Sequence, residues 1–86
     1  MIREVLFHQQ ALDDFNRWQR EKPSVYERIR RLIKDTTEHH FEGIGKPEPL
    51  RHELAGHWSR RITEEHRLVY KVTDQAIIIA SCRYHY

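Results

Sequence analysis

The stretch RLVYKVTDQAIIIASC, residues 67–82, decides the fold. At its start, Arg67, Val69 and Lys71 share one side of an extended chain and the core set Leu68, Tyr70 and Val72 the other, whereas residues 76–80 form an unbroken apolar run, AIIIA. Alternation is typical of a strand with one buried face, and a short apolar run is typical of a buried strand. Thr73 and Asp74 separate the two segments and favour a turn. The stretch therefore predicts two adjacent strands, over residues 67–72 and 75–82.

The residues before this stretch predict a strand and a helical hairpin. Residues 2–7 are predicted to form a short, partly apolar strand, and from Gln9 the apolar spacing becomes helical, with a predicted core stripe of Leu12, Phe15 and Trp18. Residues 21–23 (EKP) interrupt that pattern. Residues 24–27 (SVYE) match a capping box, which would open a second helix after a turn of about three residues. The buried stripe of this helix is predicted to consist of Val25, Ile29, Leu32, Ile33 and Thr36.

The middle of the chain predicts a loop followed by more strands. Two glycines and two prolines within residues 41–49 indicate the loop. Further strands are expected at residues 50–54 and 58–63. The order strand, helix, helix and several strands predicts one α+β domain over residues 1–86, in which a helical hairpin covers one face of a small, mainly antiparallel sheet. The other face is expected to be open to solvent.

The composition limits the classes of function. The 86 residues suffice for one modest core, and 33% of them are charged. Eleven arginines against four lysines, within a net charge of +2, favour contact with phosphate or carboxylate groups. The single cysteine, Cys82, excludes an internal disulfide and is expected to be buried. No apolar run reaches the ~18 residues of a membrane span, and no leader segment is visible, so we expect a cytoplasmic protein that does not bind membranes.

Candidate site residues are expected on the open face. Alternation along residues 67–72 points Arg67 away from the helices, and either Arg60 or Arg61 joins it from the preceding strand. The loop and the chain end add Glu48, Arg51, Arg83, His85 and Tyr86. This set suits cleavage of an RNA phosphodiester: a carboxylate takes the proton of the 2′-hydroxyl, a histidine protonates the leaving 5′-oxygen, and arginines stabilise the phosphorane.

Other interpretations of these residues remain open. Taken singly, Glu48 could be an exposed loop residue, Arg67 could stabilise a turn through an ion pair, and His85 could be part of a polar tail. Trp58 could belong to the core or provide a stacking surface. Because the nucleophile of RNA cleavage belongs to the substrate, no metal or cofactor is expected, and the histidines do not show the spacing of a zinc motif.

Four segments closely resemble the YoeB type of toxin in the RelE/ParE superfamily. They are residues 41–43 (FEG), 45–50 (GKPEPL), 58–70 (WSRRITEEHRLVY) and 82–86 (CRYHY). The resemblance implies a RelE-like, microbial-ribonuclease-like fold and the toxin of a type II toxin–antitoxin pair. It further implies a metal-independent endoribonuclease that cleaves messenger RNA in the ribosomal A site, forms a homodimer and is neutralised by a YefM/Phd-type antitoxin, which supplies the contacts to operator DNA.

The resemblance also implies a role for each site residue. Glu48 matches the general base, His85 the general acid and Arg67 the arginine that stabilises the phosphorane. Phosphate and substrate binding falls to Arg61 and Tyr86, with further contacts expected from Arg51 and Arg83. Arg51 stands where a lysine is common, which keeps the charge but changes its geometry.

Two other classes of function remain open. The chain could be a non-catalytic module that occupies the ribosome, or another target, through its basic face. It could also be a co-regulator that only holds an antitoxin on DNA. Since the sequence shows no helix-turn-helix of its own, direct operator recognition is not expected. If Arg61 faces the substrate, alternation directs Arg60 toward the helices, where a helix-edge carboxylate or a dimer contact could accommodate its charge.

Overall fold

The computed structural model describes residues 4–84. This part of the chain forms two α-helices, five strands and one short 3₁₀ helix. In chain order they are β1 (Glu4–Phe7), α1 (Gln9–Glu21), α2 (Pro23–Glu38), β2 (Glu48–Pro49), the 3₁₀ helix (His52–Leu54), β3 (Trp58–Arg61), β4 (Arg67–Val72) and β5 (Ala76–Ser81).

All five strands belong to one sheet, in the order β1-β5-β4-β3-β2. β1 pairs with β5 in parallel, with Glu4 opposite Ala76, and the other neighbours are antiparallel. The two strands predicted from residues 67–82 are therefore adjacent, as β4 and β5. The fold class, a helical hairpin on a mainly antiparallel sheet, is confirmed.

Each helix buries one stripe of side chains. In α1 this stripe consists of Ala11, Asp14 and Trp18, and in α2 of Val25, Ile29, Leu32 and Thr36. The prediction that Leu12 belongs to the core is wrong, since it is 36% exposed. Leu12 lies six residues before Trp18 and so about 120° around the helix, whereas Ala11 lies seven residues before it, almost in line.

The connection between the helices is shorter than predicted. Lys22 alone separates α1 from α2, and the predicted capping box is wrong because α2 already begins at Pro23 with no side-chain cap. Proline suits this first helical position, since its fixed φ is helical and its missing N–H would have had no partner within the helix. Ser24 and Glu27 are helical residues of α2, and both are exposed.

The strand predicted at residues 50–54 is wrong. The pairing with β3 lies earlier, at Glu48 and Pro49, opposite Ser59 and Trp58. His52 then adopts a φ of 58°, and the Leu54 N–H donates to the Arg51 carbonyl, so the chain turns instead of extending. The other predicted strands are confirmed within two residues at the ends that the structure describes.

The main core lies between the helices and one face of the sheet. Its fully buried side chains include Ile29, Leu68, Ile77 and Ile79. The opposite face was expected to be open, but Ser59 and Val69 are directly paired there and are 3% and 2% exposed, so it is open only in part. Among the described residues, neither helix is long and apolar enough to cross a membrane.

Candidate functional site

The register of the sheet brings three predicted site residues to one face. Glu48 in β2 lies opposite Ser59 in β3, and Arg61 in β3 lies opposite Arg67 in β4. Directly opposed residues share a face, and so do residues two apart on one strand. Glu48, Arg61 and Arg67 therefore project from the sheet face that points away from the helices, as the alternation predicts.

Arg61 and Arg67 form a cross-strand pair of like charges. Directly opposed like charges destabilise a sheet unless another group neutralises them. Arg61 is exposed, and Arg67 is partly buried. The face that both arginines share is therefore a place where an anion, such as a phosphate, would relieve the repulsion.

The Arg67 side chain also stabilises the turn before β4. Its Nη1 donates to the carbonyls of Thr63, Glu64 and His66 at 2.6, 3.2 and 3.1 Å. Among the described residues, Arg67 thus stabilises the turn through hydrogen bonds to carbonyl oxygens and not through an ion pair, which was the alternative left open by the sequence. The bonds described within residues 4–84 occupy only Nη1 of this guanidinium.

Glu48 sits at the end of a tightly held loop. The Arg61 N–H donates to the Gly45 carbonyl at 2.7 Å, just before Lys46 and Pro47. Gly45 has a φ of 80°, and an added Cβ would lie 2.7 Å from Leu32 and 3.2 Å from Arg60. The loop therefore packs closely on α2 and β3, and this packing fixes where the exposed Glu48 carboxylate emerges.

The opposite side of β3 carries Arg60, which is fully buried. Each of its five N–H groups has a partner: Nε donates to the Tyr70 hydroxyl, Nη1 to Asp35 and the Ile44 carbonyl, and Nη2 to two further carbonyls, those of His39 and Glu42. Of the two predicted possibilities for Arg60, the carboxylate on a helix is the one observed, because Asp35 lies 2.6 Å away on α2.

The ionisation of Asp35 and Tyr70 reflects this buried arginine. Burial alone would raise the pKa of the Asp35 carboxyl, but hydrogen bonds from Arg60 and from the Ile44 N–H outweigh it and lower the pKa below its ordinary value. Burial raises the pKa of Tyr70, whose hydroxyl donates to the His40 carbonyl at 2.7 Å. At neutral pH, Asp35 is therefore a carboxylate and Tyr70 a neutral phenol, and both accept a hydrogen bond from Arg60.

Arg83 lies on the helix side rather than with Arg61 and Arg67. Its guanidinium stacks 4.4 Å from the Trp18 ring and binds Glu21 of α1 at 3.2 Å. Hydrogen bonds from Arg17 and Arg83 lower the pKa of Glu21. The expected substrate contact of Arg83 stays a prediction.

The three remaining predicted site residues are Arg51, His85 and Tyr86, and no described contact links them to Glu48, Arg61 or Arg67. Arg51 is exposed and extended, directly before the 3₁₀ helix. His85 and Tyr86 lie outside the described residues. The chain approaches them beside Arg67, since the Arg67 N–H donates to the Tyr84 carbonyl at 3.1 Å.

Two other candidate residues have clear positions. Trp58 is partly buried and packs on the Phe41 ring at 4.7 Å, on the side of the core, so the core interpretation is the observed one. Cys82 is fully buried, as predicted. Within residues 4–84, no three histidine, cysteine or acidic side chains lie close enough together to hold a metal ion.

His66 is a polar residue beside the site that the sequence reasoning missed. It is 8% exposed, and its ring contacts Trp18 edge-on at 4.8 Å. Its Nδ1 accepts the Tyr84 N–H at 2.7 Å. The sequence contains one indication of its importance: His66 directly precedes Arg67, where the strand that carries the predicted site begins.

Comparison with known proteins gives a consistent result. Residues 7–86 match the family described as the YoeB-like toxin of bacterial type II toxin–antitoxin systems. The chain is 54% identical to toxin YoeB of Escherichia coli K12 over 83 residues, which cover 96% of this chain and 99% of that protein.

Solved structures of similar proteins share the same fold. A YoeB dimer from Staphylococcus aureus has a TM-score of 0.91 and 45% identity, covering 96% of this chain and 97% of that one. A YoeB–YefM complex from the same organism has a TM-score of 0.90 and 44% identity, covering 100% and 99%.

Proposed function

This chain belongs to the family of YoeB-like toxins of bacterial type II toxin–antitoxin systems, and from this we propose that it is an endoribonuclease that cleaves messenger RNA in the ribosomal A site. Cleavage there stops translation. The protein acts in the cytoplasm, where its ribosomal target is found.

The observation that carries the proposal is the opposed pair of Arg61 and Arg67, with Glu48 on the same face. Two arginines that repel each other are costly in a sheet unless they bind an anion. The phosphorane formed during RNA cleavage has more negative charge than the phosphodiester. A pair of guanidinium groups on this face therefore stabilises the transition state more than the ground state, which is the requirement for catalysis.

The reaction assigns one step to each group. Glu48 takes the proton of the 2′-hydroxyl, whose oxygen then attacks phosphorus. Arg61 and Arg67 stabilise the phosphorane. His85 donates its proton to the leaving 5′-oxygen, and the upstream fragment ends in a 2′,3′-cyclic phosphate. Arg51, Arg83 and Tyr86 contribute substrate contacts.

The partners follow from the family. YoeB of S. aureus is found in one solved structure as a dimer and in another in complex with YefM. We propose the same two associations for this chain: a homodimer, and a complex with a YefM/Phd-type antitoxin that neutralises it. Operator DNA is contacted through the antitoxin.

The first test is primer extension on a translated messenger RNA with purified ribosomes. Wild type is expected to produce a break within the A-site codon only when ribosomes are present. Glu48→Ala and His85→Ala should each slow cleavage by ~10²–10⁴-fold, the usual contribution of a general acid or base. Ribosome affinity should be nearly unchanged, since neither residue is assigned to binding.

Matched controls separate this result from a general loss of structure. Glu38→Ala and His8→Ala remove the same side-chain types from exposed helix-end positions and should cleave like wild type. If translation is inhibited without any break, and inhibition survives Glu48→Ala, the protein is a ribosome-occupying module rather than a nuclease.

A further inference from the structure

The last described residues are held by hydrogen bonds from two sides. The Trp18 Nε1–H donates to the Cys82 carbonyl at 3.0 Å, and the Arg67 N–H donates to the Tyr84 carbonyl at 3.1 Å. A third bond joins the Tyr84 N–H to Nδ1 of His66 at 2.7 Å. The N–H and the carbonyl of Tyr84 are therefore both hydrogen-bonded, and the hydrogen bond of the N–H depends on one side chain, that of His66.

The His66 ring is itself fixed. It is almost fully buried, with its edge against Trp18 and the Tyr84 ring 5.4 Å away. Because a backbone N–H can only donate, Nδ1 must carry a lone pair. The proton of the neutral ring is then on Nε2, where the Glu65 carboxylate lies at 3.5 Å. The ring thus has one defined tautomer and one defined orientation.

Tyr84 requires this support because its backbone is strained. Its φ is +64°, in the left-handed region that residues with a Cβ rarely adopt. Such a conformation persists only where surrounding contacts determine it. The bonds with His66 and Arg67 lie on either side of the Tyr84 Cα, so they limit the direction in which the chain leaves Tyr84.

From these contacts we infer that His66 is a positioning residue for the C-terminal segment: by accepting the Tyr84 N–H it orients the peptide that leads to His85. The catalytic part of this inference rests on the proposed function, in which His85 is the general acid. His66 does not touch the substrate in this scheme. It acts through the backbone, by restricting where the next side chain can reach.

Two variants, each of which keeps a polar atom near one ring nitrogen, test the inference. In His66→Asn, Oδ1 occupies the place of Nδ1 and can accept the Tyr84 N–H. In His66→Gln, the acceptor oxygen occupies the place of Nε2 and cannot. Both variants lose the ring and its packing on Trp18, so both should lower the melting temperature. Only the glutamine variant should lose the bond to Tyr84.

The first measurement is hydrogen exchange of the Tyr84 amide by NMR. Exchange is expected to be about fivefold faster in His66→Gln, the effect of one hydrogen bond, and within about twofold of wild type in His66→Asn. Equal acceleration in both variants, or none in either, would overturn the assignment of His66 as the residue that holds Tyr84.

The second measurement is ribosome-dependent cleavage, analysed as kcat and KM. We expect His66→Gln to lower kcat by ~10-fold or more at nearly constant KM, because a misplaced acid affects the chemical step, and His66→Asn to restore most of it. If kcat falls in both variants in proportion to the decrease in melting temperature, His66 is only a packing residue. If wild type does not cleave, the proposed function fails, whereas the amide exchange still decides the role of His66.

Discussion

At the scale of single residues, Arg60 shows how a buried charge can be accommodated. A buried ion is tolerable only when its charge is paired and its remaining polar groups are bonded. Arg60 meets both conditions, with Asp35 as counterion and one hydroxyl and three carbonyls as acceptors. Three of these acceptors, on His39, Glu42 and Ile44, belong to the chain that follows α2. One side chain therefore binds this loop to the sheet.

Removal of Arg60 should be far more costly than removal of its neighbour. Arg60→Met leaves Asp35 and several carbonyls without their partner, and should lower the free energy of unfolding by about 3–5 kcal/mol. Arg61→Met removes an exposed charge that repels Arg67, so stability should stay within about 0.5 kcal/mol or rise slightly. Urea unfolding of both variants measures the difference. Similar losses in the two would mean that the buried network contributes little.

The stability that Asp35 contributes should depend on pH in a defined direction. Its pKa in the folded protein lies below the ordinary value of 3.8. Its contribution is therefore fully present above that value and is lost as pH falls through the lower, folded-state pKa. The difference in unfolding free energy between wild type and Asp35→Asn should be constant near neutral pH and shrink below pH 3.8. A difference that grows on acidification would contradict the ion pair.

Cys82 should be chemically inert in the folded protein. Burial, with a smaller effect of the Asp14 carboxylate, raises the pKa of its thiol to about 12. Since only the thiolate reacts, alkylation at pH 8 should be at least ~10³-fold slower in the native protein than in urea. Rapid labelling under native conditions would show that the end of β5 opens readily.

The site could be predicted from sequence only as far as strand alternation reaches. Alternation placed Arg67 on the face away from the helices, and pairing of β3 with β4 brings Arg61 opposite it. Alternation could not show that Arg83 would turn to Trp18, because this residue lies beyond the end of β5, where the period of two no longer applies. Nor could it show the bond of His66 to Tyr84, which depends on how two turns meet in space.

At the scale of elements, the loop between α2 and β2 is shaped by close packing as much as by its hydrogen bonds. Its glycines adopt positive φ values, and at Gly45 an added Cβ would lie 2.7 Å from Leu32, which would have to move, and 3.2 Å from the Arg61 carbonyl. Glu48 follows three residues later. The position of the proposed general base therefore depends on a glycine that has no chemistry of its own.

Two glycine substitutions separate strain from close packing. Gly45→Ala combines a positive φ with contacts at 2.7 and 3.2 Å, and should destabilise the protein by ~2–4 kcal/mol. Gly56→Ala has a φ of 93° but nothing within 4 Å, so only strain of ~1 kcal/mol is expected. Thermal unfolding compares them. Equal effects would show that Leu32 and the loop adjust to the added methyl group.

Elements were predictable where pattern and local chemistry agree. The bounds of β4 are as predicted, since alternation and flanking turn residues coincide there. The 3₁₀ helix was missed because residues 50–54 contain no glycine or proline, and the turn instead depends on His52 adopting a positive φ. The start of α2 was missed because Pro23 at the first helical position outweighed the capping box one residue later.

At the scale of the whole molecule, one sheet links every strand, with β5 between β1 and β4. Trp18 in α1 bonds to Cys82 just after β5, whereas Trp58 lies in β3 near the opposite edge. The two tryptophans therefore report on distant parts of a common core. Such an arrangement favours cooperative, two-state unfolding. That residues 1–86 form one domain stays a prediction.

Single-tryptophan variants test this cooperativity. In Trp18→Phe and in Trp58→Phe, the fluorescence of the remaining tryptophan and the far-ultraviolet circular dichroism should give the same urea midpoint. Trp18→Phe should also be less stable by ~1 kcal/mol, because it loses the bond to the Cys82 carbonyl. If Trp58 changes at lower urea than the circular dichroism, the edge formed by β2 and β3 unfolds separately.

The insertion of β5 between β1 and β4 also affects when the sheet can form during synthesis of the chain. β1 is synthesised early, but it pairs with β5, so Glu4 can pair only after Ala76 has been synthesised. While residues 76–81 remain in the exit tunnel of the translating ribosome, the sheet has a gap at that position and Arg67 lacks its bond to Tyr84. The sheet that carries Arg61 and Arg67 can therefore close only after residues 76–81 have left the tunnel.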